Sequence, residues 1–75
     1  MTRRIESVEE VAKLKFVNED DKKAVVGAMI QLSANNPKPP VAKIYETRNI
    51  KQLRLYVYDS YSWKYNLFLH CDLVR

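Results

Sequence analysis

The chain has 75 residues, 47% of them apolar and 29% charged, with one glycine; this size and composition give one folded domain with a small core, excluding a second domain or a disordered tail. One cysteine and one histidine exclude an internal disulfide and a zinc site of the usual ligand count, and no apolar run approaches the roughly 20 residues that span a bilayer. A reducing, cytoplasmic setting is expected, with no metal, no other cofactor and no membrane contact.

In chain order, Ser7 followed by Glu10 forms a capping-box pattern, and Val8, Val11, Ala12 and Lys15 recur at helical spacing, predicting a first helix over about 7–15. Asn18 and the acidic run Glu19-Asp20-Asp21 open a second helix over about 18–34, in which Val25, Ala28, Met29 and Leu32 share a face that Val26 and Ile30 widen. This helix is expected to be well buried. Asn35 and Asn36 are expected to end it in a left-handed backbone, and Pro37, Pro39 and Pro40 bar its continuation.

Beyond the prolines the period becomes two. A short strand is expected over about 41–46, leaving through a turn at Thr47, Arg48 and Asn49. Leu53, Leu55 and Val57 alternate with Arg54, Tyr56 and Tyr58 in a second strand over about 50–58. Trp63, Tyr65, Leu67, Leu69 and Cys71 are expected to share one face of a third strand over about 62–71, with Asp59–Ser62 as the hairpin turn. The sum is an α+β domain spanning 1–75: two N-terminal helices laid on a small antiparallel sheet of three or more strands.

The charge is uneven. Residues 1–36 balance six Lys/Arg against six Asp/Glu, whereas residues 37–75 carry seven against three, together with seven of the eight aromatic residues. With Leu53, Leu55 and Val57 turned to the helices, Arg54, Tyr56 and Tyr58 stand on the opposite face, where cations hold phosphate and rings stack bases. Tyrosines also suit strands and basic side chains also solubilise a bare face, so one patch without a motif is weak support for RNA. His70 is the one imidazole available for acid/base work, although a lone histidine late in a strand is more often structural. The second helix has the outline of half a helix-turn-helix, but its acidic first turn opposes an approach to DNA.

Several strings resemble the HigB-type branch of the RelE/ParE toxin superfamily: Glu19-Asp20-Asp21-Lys22-Lys23-Ala24-Val25, Leu32-Ser33-Ala34-Asn35-Asn36-Pro37, Pro40-Val41-Ala42-Lys43-Ile44, Arg48-Asn49-Ile50-Lys51-Gln52-Leu53-Arg54 and Tyr65-Asn66-Leu67-Phe68. The resemblance covers about residues 6–75. It implies a RelE-like fold and a ribosome-dependent messenger RNA endoribonuclease held by a cognate antitoxin. Carried over, it assigns catalysis to Lys51, Arg54 and Tyr56. Arg48, Tyr58, Lys64 and Tyr65 would then contact RNA or the ribosome. The arginine that the family places before Leu-Phe is replaced here by Tyr65 or Asn66, and the family's opening and closing strands are expected to be missing or reduced. A shortened sheet leaves an open edge, which a protein partner or a homodimer would cover. The rival expectation is a catalytically inactive interaction or regulatory module derived from a phage or mobile element, with Tyr61 and Trp63 as its partner-binding anchors.

Overall fold

The computed structural model describes residues 2–5 and 7–75; Met1 and Glu6 lie outside the described residues. The elements are β1 (Thr2–Ile5), α1 (Val8–Ala12), α2 (Glu19–Asn35), β2 (Val41–Glu46), β3 (Lys51–Asp59) and β4 (Lys64–Asp72). The strands form one antiparallel sheet in the order β1-β2-β3-β4. The α+β class and the two helices agree with the sequence. A strand precedes both helices, which corrects the expectation that the fold opens on two helices with its opening strand missing or reduced. Four residues suffice because β2 supplies a ready-made edge, with Ile5 opposite Ala42 and buried to 1% exposure.

The two helices cover one face of the sheet. Val11, Val25 and Met29 pack there with Ile5, Ala42, Ile44, Leu53, Leu55 and Cys71, and no other apolar layer exists among the described residues. The Ser7 hydroxyl accepts from Glu9 N (3.1 Å) and Asn18 Oδ1 accepts from Asp20 N (2.9 Å), so both predicted caps start their helices. The first helix is only five residues long, shorter than the spacing suggested. In α2 only Val25 and Met29 are buried and Ile30 is 58% exposed, so the helix is half solvated rather than well buried. Its end also differs from expectation: Asn36 is extended (φ −114°, ψ 150°), and its backbone and side-chain amides both donate to Leu32 O. The following Pro37 pushes its predecessor out of the helical region, which settles the cap without a left-handed residue.

β2 has the predicted bounds, while β3 and β4 start slightly later. Thr47 Oγ1 accepts from Asn49 N and Ile50 N, fixing the exit turn of β2. The β3–β4 hairpin turns through Ser60–Trp63, one residue later than predicted. A bulge in β4 carries the larger correction: Leu55 pairs with Leu69, but Tyr56 pairs with Leu67, leaving Phe68 extra. Leu69 and Cys71 therefore face the helices, whereas Tyr65 and Leu67 face the other way, so the single apolar face expected for β4 does not form.

Candidate nucleic-acid interface

The face of the sheet turned away from the helices is built by alternation. Ala42, Ile44, Leu53 and Leu55 point into the core, so Lys43, Tyr45, Arg54, Tyr56 and Tyr58 point out. The pairing then places a basic row straight across all four strands: Arg4 opposite Lys43, Lys43 opposite Arg54, and Arg54 opposite His70. At about 4.8 Å between strands this row is roughly 14 Å long. Like charges placed directly opposite one another destabilise a sheet. Lys43 and Arg54, directly opposite one another, call for compensation.

Tyrosines supply part of it. Arg54 Cζ lies 4.2 Å from the centre of the Tyr45 ring, Lys43 Nζ 5.3 Å from that of Tyr56 and Lys38 Nζ 4.4 Å from that of Tyr58. Each such contact contributes about 0.5–1 kcal/mol at a partly exposed site. Arg54 Nη2 also donates to Gln52 Oε1 (3.3 Å), and Gln52 Nε2 donates to Asp72 Oδ1 (3.3 Å), so the guanidinium is held from two sides. Beyond the row, the Tyr58 and Tyr65 rings meet edge to face at 5.5 Å, and Tyr65 Oη donates to Pro39 O (3.0 Å), tying the proline linker to β4. Arg4, Val41, Lys43, Tyr56 and Tyr65 line a shallow depression of about 230 Å³. The surface thus offers cations in line, ring faces on both sides of them and one concavity.

The fold gathers Arg54, Tyr56, Tyr58 and Tyr65, four of the residues singled out in the sequence. It does not bring Lys51 to them: Lys51 lies opposite Glu46 and shares the face of β3 with Leu53, two residues on, which is the other face from Arg54. Lys64 lies opposite Asp59 at the mouth of the hairpin, off the tyrosine face. Arg48 is exposed in the turn after β2, at the Tyr45 end of the sheet. Tyr61 and Trp63 are 95% and 81% exposed on the β3–β4 turn, away from the row. Arg4, Lys38, Lys43, Tyr45, Gln52 and His70 belong to the face but were not assigned from sequence. The period-two run Val41–Tyr45 carries the signal for Lys43 and Tyr45. Arg4 had none without β1.

The β3–β4 turn is held by one carboxylate. Asp59 accepts from Tyr61 N (2.9 Å), Ser62 Oγ (3.0 Å) and Asn66 Nδ2 (3.2 Å), and the first of these bonds is the main cause that holds its carboxyl below the ordinary 3.8. Burial, followed by the negative fields of Asp21 and Asp72, pushes the Cys71 thiol up to about 11. Among the described residues no cluster of His, Cys, Asp and Glu is fit to hold a metal, and no helix is long and apolar enough to cross a membrane. The chain matches no family model, no curated protein and no solved structure.

Proposed function

We propose that the uncovered sheet face binds single-stranded RNA, with phosphates along the Arg4–Lys43–Arg54–His70 row and bases against Tyr45, Tyr56, Tyr58 and Tyr65. The basic row across all four strands, flanked by rings, carries this reading. A single strand suits it better than a duplex, because only unpaired bases expose their faces to stacking. The resemblance of residues 40–44 and 48–54 to HigB-type toxins supports a role at messenger RNA or the ribosome under an antitoxin's control. The strand ahead of the helices adds to that support, since that family also opens on one.

Binding has more support than cleavage. In-line attack needs the phosphate fixed and the nucleophile deprotonated around the same atom, and Lys51 and Arg54 leave β3 on opposite faces. His70, across from Arg54, is the one imidazole on the tyrosine face. A module that grips RNA without cutting it is therefore the reading that this separation of Lys51 from Arg54 favours, and cleavage is the second.

Fluorescence anisotropy with a labelled RNA, free and annealed to its complement, tests the binding. Tighter binding of the free strand is expected; equal or tighter binding of the duplex overturns the stacking model. Induced expression with mapping of messenger RNA ends then separates the two readings. New cuts that disappear in Arg54→Ala support cleavage, and intact messages support binding alone.

A further inference from the structure

The two edges of the sheet are defended unequally. β1 presents Arg3 and Arg4, charges of the kind that discourage strand addition. β4 reads Tyr-Asn-Leu-Phe-Leu between Lys64 and His70, without a charge or a proline, and Leu67 and Phe68 are 50% and 56% exposed. Among the described residues its outer side is covered only at the C-terminal end: Phe16 bridges Leu73, Val17 N donates to Asp72 O (3.3 Å) and Val74 N donates to Lys15 O (2.8 Å). No other described strand lies along Lys64–Cys71.

The apolar groups around this edge form a self-complementary pattern. Exposed Tyr61 and Trp63 stand at its hairpin end, exposed Val17 (66%) and Val74 (46%) at the other, and Leu67 and Phe68 in the middle. A two-fold axis through the middle of an antiparallel strand pair exchanges the ends, as an isologous interface requires. Trp63 is also the one described non-glycine residue with a positive φ (58°), a backbone conformation that is strained for a side chain with a Cβ. That conformation, in a turn fixed by Asp59, holds a large ring out in solvent. A turn backbone already fixed has less to order on docking.

We propose that β4 pairs with β4 of a second copy of this chain, making one eight-stranded sheet. The bulge sets the register. Because it turns Tyr65 and His70 to the same face, pairing about the Leu67–Phe68 bond puts Leu67 opposite the partner's Phe68 and Tyr65 opposite the partner's His70 with faces matched. The Lys15–Val17 segment ends the ladder, and the partner's Trp63 lies on Val17 there. The two-fold axis is perpendicular to the sheet, so both tyrosine faces lie on one side and both helix layers on the other.

Sedimentation equilibrium from micromolar to millimolar protein tests this without any RNA. The wild type is expected to be a dimer that tightens as salt rises, because each copy carries +4. Phe68→Lys should give a monomer with an unchanged circular dichroism spectrum. Trp63→Ser should weaken the dimer about thirtyfold, the loss typical of an aromatic anchor. A wild type that stays monomeric throughout overturns the proposal. So does a dimer that neither substitution weakens, since its contact would lie elsewhere, or one that weakens as salt rises.

Discussion

Trp63 is the residue whose conformation and chemistry disagree most. Trp63 is 81% exposed at φ 58°, so little burial offsets its strained backbone, and glycine would occupy the position freely. In the monomeric Phe68→Lys background, Trp63→Gly is therefore expected to raise the melting temperature, by a few degrees for about 1 kcal/mol in a domain of this size; a lower melting temperature there would mean that the ring supports the fold of the single chain. Asp59 makes the same turn pH-dependent. Its carboxyl lies below 3.8 when folded, so its contribution is present above that value and is lost as pH falls through the lowered one. Asp59→Asn should flatten this acid-side dependence in thermal melts. Cys71 acts in the opposite direction: with the thiol at about 11 against an ordinary 9.0, stability is full below 9 and falls as pH rises through 11. A melting curve unchanged between those limits in the wild type would contradict the burial of this thiol.

The elements differ in how plainly the sequence announced them. α2 was legible because its cap, acidic first turn and terminal prolines each act locally. β2 and β3 were legible because Ala42/Ile44 and Leu53/Leu55 alternate against one covered face. β1 was not, since Thr-Arg-Arg-Ile has one apolar residue and is a strand only through its pairing with β2. The bulge at Phe68 was hidden for the same reason, and it changed which side chains of β4 share the candidate site. Tyr56 and Tyr58 could be placed beside Arg54 by counting in twos, and the same count on β3 sends Lys51 to the other side. Gly27 offers a test at this scale. It lies exposed inside α2 with nothing within 4 Å of an added Cβ. Gly27→Ala should stabilise the chain by about 0.5–1 kcal/mol in chemical denaturation, and a destabilised variant would show that α2 is not the helix described.

As a whole the molecule is a one-sided sheet: helices cover one face, and the other carries a basic row with rings on both sides of it. A domain of 75 residues has only a single layer of core to hold it, so truncating Leu53, fully buried at its centre, should cost roughly 2–5 kcal/mol and leave the chain largely unfolded. The cations opposite one another in the row do not serve that core. RNA would compensate their repulsion, and the central claim is that Lys43 and Arg54 bind phosphate whereas Lys51, on the other face, does not. The direct measurement is the affinity for a single-stranded RNA as a function of salt, for the wild type, Lys43→Ala/Arg54→Ala and Lys51→Ala. Removing one cation from a phosphate should lower the logarithmic salt slope by about 0.7, so the slope of the double variant should fall by about 1.4 and that of Lys51→Ala should match the wild type. A slope unchanged in the double variant, or reduced as much by Lys51→Ala, would contradict the assignment of this face.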